Sequence, residues 1–474
     1  MRLLRSVIPT DEQLKLIGDL KQGFRVIRGA AGSGKTTTAL LCLKGLVSAR
    51  LHRRQRLGHD APVRVLVLTF NRTLEGYIAE LARREIPRDD ALDLEISTFA
   101  RWARSLVGHV VIAQDGQISA MLRPHLQALA GSQPHEFLVD EVQYILGRFQ
   151  YDPGGFEQES LSAYLTVVRE GRGTTPRVTR SDREKLIREV IPAYMEAKQA
   201  RGEIDWSDLA MLAADADPGL LYDVVIVDET QDFSANQVRA VLDHLDDSHS
   251  TTFIVDATQR IYPQFLKWSE VGVNRPTAYR LKENYRNTAA IAAFAHPLVE
   301  GLPPEDDGTL PDVSACRSGG ETPTVVVGRY PDQLRYMLDC LQHAVDLTSE
   351  SVALLKPRGG RWFDEVRAEL SRRGLPYCEL TRENEWPTGS EMIALCTFHS
   401  AKGLEFDHVL VPGLSQQLTP HGPESGDADL ERLRRMLAMA IGRARKSVMI
   451  GYKPGEESSL IGLLNPSSYK LVGV

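Results

Sequence analysis

One stretch constrains this chain more than any other: Gly29-Ala30-Ala31-Gly32-Ser33-Gly34-Lys35-Thr36. The apolar run at 24–27 before it reads as a buried strand, and Ala39, Leu40, Leu43, Leu46 and Val47 after it recur at helical spacing. Strand, glycine-rich turn and helix in that order are the context a phosphate-binding loop requires. Glycines let backbone N–H groups close on phosphates, the helix N-terminus adds its positive dipole end, and Lys35 reaches the terminal phosphates. The hydroxyl of Thr36 is placed to ligate Mg²⁺. The stretch therefore predicts a nucleotide-binding α/β domain.

A chain of 474 residues exceeds one ordinary core, so two or three domains are expected. Its 42% hydrophobic and 25% charged residues are those of a soluble globular protein. Cys42, Cys316, Cys340, Cys378 and Cys396 form no close pair and no metal-ligand spacing, which predicts a reducing cytoplasm and no zinc or iron–sulfur centre. The first residues hold too short an apolar run for a signal peptide, and no stretch reaches membrane-span length. A net charge of −7 gives nucleic-acid binding no global support, so any such function must rest on a local basic track.

Along the chain, Thr10 or Asp11 can cap a short helix with Leu14 and Ile17 inward, and spacing alone makes Gln13 a solvated residue. Residues 63–68 read as a second buried strand ending in Thr69-Phe70-Asn71-Arg72, and 94–99 as a third. Strand C-terminal ends are where open α/β sheets bind ligands, and aromatic residues beside arginines there suit bases and phosphates. Phe99 and Trp102 read better as core. From about 108 to 205 the pattern turns helical. Within it Phe137-Leu-Val-Asp140-Glu141 imitates the end of a nucleotide-site strand, but Leu138, Val142, Ile145, Leu146 and Phe149 keep helical spacing, so it is rejected as a metal site. Arg169, Arg172, Arg177, Arg180 and Arg183 form either a solvated face or a phosphate track. The acids that fit the loop come later. Residues 222–227 are apolar on both faces, as in a central parallel strand, and end in Asp228-Glu229. Asp228 can hold Mg²⁺ through water, and Glu229 can orient and deprotonate an attacking water. A strand at 251–255 follows, and beyond about 280 a second strand–helix series begins that has no phosphate loop of its own.

The polar clusters at these strand ends resemble the UvrD/Rep family of superfamily-one helicases over nearly the whole length, in the right order. Gln13 stands at the family's adenine-reading glutamine, which reverses its reading from spacing. Gly29 to Thr36 is motif I and Thr69-Phe-Asn-Arg72 resembles motif Ia. Asp228-Glu-Thr-Gln-Asp232 is motif II, Asp256-Ala-Thr-Gln259-Arg-Ile-Tyr262 motif III, and Leu281-Lys-Glu-Asn-Tyr285-Arg286 motif IV. Thr397-Phe-His399-Ser-Ala-Lys-Gly-Leu-Glu405 is motif V, and the run from Arg434 through Arg443 is motif VI. The resemblance implies two RecA-like lobes, α/β with parallel sheets flanked by helices. It assigns 1–107 and 206–280 to the first lobe, 108–205 to a helical insertion, and 281–474 to the second lobe. It implies ATP and Mg²⁺ as cofactors, with Gln13, Gly29 to Thr36, Thr37, Tyr285 and Glu405 around the nucleotide, Tyr285 stacking on adenine and Glu405 accepting from ribose. Thr36 and Asp228 would serve the metal, and Glu229, Gln259, Arg286 and Arg443 the hydrolysis. Phe70, Asn71, Arg72, Tyr262 and His399 would lie on the single-strand path.

Departures narrow the implication. Thr37 stands where the family often has an adenine-stacking arginine. Gln264 replaces a base-stacking tryptophan; either Phe265 or Trp268 substitutes for it or that stacking is absent. Ala438 and Gly442 replace a tyrosine and a threonine of motif VI. Only about a dozen residues separate Leu380 from the strand at Ile393, too few for the family's 2B subdomain. The chain ends soon after motif VI, with no nuclease domain expected. The resulting expectation is a 3′-to-5′ translocase or helicase on single-stranded DNA. A DNA-gated ATPase that works through a nuclease or other partner, in repair or antiviral defence, is the second reading, and stacking and phosphate contacts leave RNA open as a substrate.

Overall fold

A computed structural model describes residues 9–29, 33–69, 72–86, 89–127, 129, 133–151, 158–167, 177–217, 219, 221–255, 267–281, 284–302, 316–317, 319–380, 386–387, 389–423 and 427–474. The first sheet is formed by β1 (Gly23–Gly29), β2 (Val63–Thr69), β3 (Leu92–Thr98), β4 (Tyr222–Val227), β5 (Leu245–Val255) and β6 (Thr277–Leu281). They lie in the order β3-β2-β4-β5-β1-β6, every pair parallel. β4 is buried at all its positions, as its apolar run on both faces requires. β7 (Asn284–Thr288) pairs with β8 (Cys316–Arg317) in a ribbon of its own. The second sheet contains β9 (Thr324–Val327), β10 (Val352–Lys356), β11 (Tyr377–Glu379), β12 (Ile393–Thr397), β13 (Phe406–Val411), β14 (Ala444–Tyr452) and β15 (Lys470–Gly473). Its order is β11-β12-β10-β13-β14-β9-β15, again wholly parallel.

Helices cover these sheets: α1 (Asp11–Ile17), α2 (Lys35–Leu57), α3 (Arg72–Glu85) and α4 (Phe99–Val107) in the first lobe. Then come α5 (Asp115–Leu126), α6 (His135–Arg148), α7 (Gln158–Ser162), α8 (Arg180–Lys185) and α9 (Ile191–Arg201), all but α8 contributing to a separate apolar core. The chain leaves and re-enters the first lobe side by side, since Ile204 N donates to Val111 O and Ala113 N to Ile204 O. α10 (Trp206–Ala214) and α11 (Ala235–Leu242) complete the first lobe; α12 (Ala289–Val299), α13 (Tyr330–Ala344), α14 (Asp364–Arg372) and α15 (Ala428–Ile441) belong to the second. Phe137 to Glu141 are helical within α6, as their spacing indicated, and Glu141 is buried against the Tyr164 hydroxyl. Phe99 and Trp102 are core: Phe99 meets Phe233 edge-on, and Trp102 donates to the Tyr222 hydroxyl. Arg183 spends its guanidinium on the Tyr164 and Val167 carbonyls, while Arg169 and Arg172 lie outside the described residues.

The lobes touch through α3. One apolar cluster runs from Leu74 and Tyr77 into Leu380, Phe398, Ala401 and Leu404. Gly403 has φ +80°, and a Cβ there would sit 2.7 Å from Leu74 Cδ1, so both backbone angle and close approach demand glycine.

Candidate nucleotide site between two lobes

In the first lobe the site grows from the C-terminal ends of β1 and β4. Gly29 ends β1, and Lys35 and Thr36 open α2. Gly34 has φ +75°, and a Cβ on it would lie 2.5 Å from Gln13 Nε2. Gln13 is 2% exposed, not solvated: a capping box with Thr10 fixes its backbone, and its Nε2 donates to Ser33 O at 3.4 Å. The same cap rotates α1 so that Leu16 is buried and Leu14 half exposed, which corrects the expected inward Leu14. Lys35 Nζ donates to Gly29 O at 2.7 Å, curling the lysine back over the loop. Thr36 Oγ1 donates to Asp228 Oδ2 at 2.9 Å, joining the loop to the end of β4.

Burial, then the adjacent Glu229 carboxylate, push the Asp228 carboxyl up to about 7. A divalent cation is the chemistry such a buried hydroxyl–carboxylate pair suits. Ser33 Oγ is buried without a hydrogen-bond partner, an unspent polar atom in the loop that would face phosphate. Among the described residues no three His, Cys, Asp or Glu side chains converge, so Thr36 and Asp228 would hold Mg²⁺ together with phosphate oxygens and water. Glu229 adopts φ 52°, the left-handed region rarely used outside glycine, and Gln231 Nε2 donates to its Oε2.

The second lobe brings three motifs to one place. Tyr285 and Arg286 lie on β7, and the next residue, Asn287, donates to Gly442 O at 3.1 Å and Ala444 O at 2.7 Å. Arg443 is 1% exposed; its Nε donates to Met439 O and its Nη1 to Leu404 O at 3.3 Å. Phe406 N donates back to Arg443 O, so Glu405 is bracketed by bonds to the Arg443 residue. Three residues earlier, Lys402 crosses to the first lobe. Its buried ammonium bonds Asp232 and stands 3.4 Å from Glu229 Oε2. Lys402, Gln231 and Asp232 had no individual role from sequence, although they stand within the runs of motifs V and II.

The polar path is described in part. Arg72 is exposed at the first turn of α3, and Thr37 is half-buried on α2. His399 sits in the turn after β12, where burial first, then Arg432 and Lys402, lower its imidazole to about 4, keeping it neutral. Ala30, Ala31, Gly32, Phe70, Asn71, Gln259 and Tyr262 lie outside the described residues, as do the side chains of Tyr285 and Arg286.

Comparison with known proteins agrees with this geometry. Residues 9–266 match the UvrD/REP helicase N-terminal domain, and 378–454 the UvrD-like helicase C-terminal domain. ATP-dependent DNA helicase UvrD2 of Mycobacterium tuberculosis and of Mycobacterium bovis is 22% identical over 555 residues, spanning 90% of this chain and 76% of the relative. The exonuclease/helicase subunit RexA of Lactococcus lactis subsp. cremoris is 27% identical over 149 residues, which is 27% of this chain and 12% of that protein. No described helix is long and apolar enough to cross a membrane. The N-terminal match alone spans more than half of the chain and contains the phosphate loop, β4 and its acids; the chain belongs to the UvrD/REP helicase family.

Proposed function

We propose that this chain is an ATP-dependent DNA helicase that moves 3′ to 5′ on single-stranded DNA, hydrolysing ATP between residues 1–107 with 206–280 on one side and 281–474 on the other, with 108–205 as an insertion. The observation that carries the reading is Lys402, a second-lobe lysine buried against Asp232 and Glu229 of the first. Hydrolysis and relative lobe position are thereby linked through one ion cluster.

Lys35 and the loop N–H groups bind the phosphates, and Gln13 with Tyr285 and Glu405 orient the nucleoside. Mg²⁺, when bound, supplies neutralisation of charge on the phosphate oxygens. Glu229 holds the attacking water and takes its proton as the water oxygen bonds the γ-phosphorus and the bond to the β–γ bridging oxygen breaks. Gln259 positions the γ-phosphoryl group, and Arg286 and Arg443 balance the charge spread over its oxygens. Bases would run past Phe70, Tyr262 and the neutral ring of His399, with Asn71 and Arg72 on the backbone. The alignment to the UvrD2 proteins spans 555 positions while using 90% of 474 residues, so more than a hundred of those positions face no residue here. That supports a minimal form without 2B. The match to a protein named as part of an exonuclease/helicase favours a second reading, a motor that works through a nuclease partner.

Glu229→Gln tests the mechanism: the variant is expected to bind ATP and single-stranded DNA yet hydrolyse at least about 10³-fold more slowly. Wild-type hydrolysis by it would overturn the assigned role. Strand displacement measured beside DNA-stimulated ATPase separates the readings: displacement by the isolated chain supports the helicase, and hydrolysis without displacement supports the partner-dependent motor. The same ATPase assay with RNA of equal sequence decides between the nucleic acids.

A further inference from the structure

We infer that Asn287 is a positioning residue that braces the two arginine-bearing backbones of the second lobe against each other. The inference rests on the reading of Arg286 and Arg443 as groups that act on the γ-phosphate.

Asn287 immediately follows Arg286 on β7 and is 4% exposed. Its carboxamide nitrogen donates to Gly442 O at 3.1 Å and Ala444 O at 2.7 Å, the carbonyls on either side of Arg443. The turn it grips is the exit of α15 into β14, where helix carbonyls run out of intrahelical donors. Gly442 sits at φ −64°, ψ −6°, a conformation open to any residue. Its backbone does not require glycine, and glycine offers no side chain to hold the turn. A primary amide carries two N–H donors on one atom, which matches two carbonyls. A serine can reach only one of them, an aspartate has no proton to give, and an alanine offers no donor to either.

The consequence is mechanical. Arg443 is long and its own guanidinium is held by carbonyls of the same lobe, Met439 and Leu404. Its reach therefore depends on where its backbone stands, and the Asn287 amide ties that backbone to the residue after Arg286. The two arginines move as one unit rather than as two independent side chains.

A double-mutant cycle on the full chain tests this, with steady-state ATPase at saturating single-stranded DNA. Asn287→Ala is expected to lower kcat about ten- to hundredfold, with the KM for ATP within about threefold of wild type. Asn287→Ser, which keeps one donor, should fall between. The N287A/R443A double variant should lose clearly less than the product of the two single losses, because half of what the brace holds is already gone. Multiplicative losses in the double variant, or wild-type kcat in N287A while R443A is crippled, overturn the inference. Should N287A not fold, N287S against R443A closes the same cycle with the same two outcomes. Wild-type hydrolysis by R443A overturns the arginine reading itself, and this inference with it.

Discussion

Two lysines in this chain are buried to nearly the same degree, each between two carboxylates, and they do different things. Lys198 bonds Asp205 Oδ2 at 2.8 Å and Asp208, with the Tyr194 hydroxyl also on Asp205 and the Tyr151 hydroxyl on Asp208. Its acids lie 7 and 10 residues away, at the neck where the helical insertion rejoins the first lobe. Lys402 bonds Asp232 across 170 residues of sequence, from one lobe to the other, and its second acid is Glu229. The first cluster is wired on every side: Asp205 also caps α10 by accepting from Ser207 N and Asp208 N. It has no reason to open. The second joins two lobes whose relative movement the proposed mechanism uses, and one of its acids is the proposed base. Identical ionic chemistry thus serves as a staple in one place and as a coupling in the other, and what distinguishes them is whether the partners belong to one folding unit.

The contrast can be broken. Removing the Lys198 ammonium strands two carboxylates in a dry neck, so Lys198→Ala should cost about 3–5 kcal/mol of stability by denaturant unfolding. Its kcat per folded molecule should stay near wild type; a catalytic defect with unchanged stability would erase the distinction.

Acid should act on the interface side. The His399 imidazole is held below its ordinary 6.5, chiefly by burial, so its neutral form stabilises the fold above pH 6.5. That contribution, up to about 3 kcal/mol, is lost as pH falls from 6.5 through about 4. The Asp208 carboxyl is raised, chiefly by burial and Asp205, so its contribution runs the other way and is lost as pH rises through its folded value. Between pH 6.5 and 4 wild type should therefore lose stability relative to His399→Asn, while the raised carboxyls of Asp208 and Asp228 act oppositely in both chains. An unchanged slope in the variant would remove His399 as its source.

The smallest effect is kinetic. Lys402→Ala should reduce DNA-stimulated kcat on the order of a hundredfold, through the charge lost beside Glu229. If K402A loses stability as K198A does and hydrolyses normally, Lys402 is a second staple.

The same division governs what the sequence made legible. Features with a local signature were readable: the glycine loop, the apolar run before Asp228 and Glu229, the helical spacing that exposed residues 137–141 as a decoy. Short or polar edge elements were not. β6 runs Thr-Ala-Tyr-Arg-Leu with only Leu281 buried, β11 has three residues, and β15 is largely exposed, so none carries the apolar period of a strand. Gln13 misled on spacing because the Thr10 cap, not hydrophobicity, sets which face of α1 turns inward. Lys402 and Asn287 had no local signal at all, because their meaning lies in atoms more than a hundred residues away.

The central claim is that one ATP site is completed only by the second lobe. Its most direct test is ATP binding and single-stranded-DNA-stimulated hydrolysis by Arg443→Ala. The account predicts nucleotide affinity within about threefold of wild type and kcat lowered by roughly 10³-fold or more. Hydrolysis at the wild-type rate would mean that the first lobe suffices, and would contradict it.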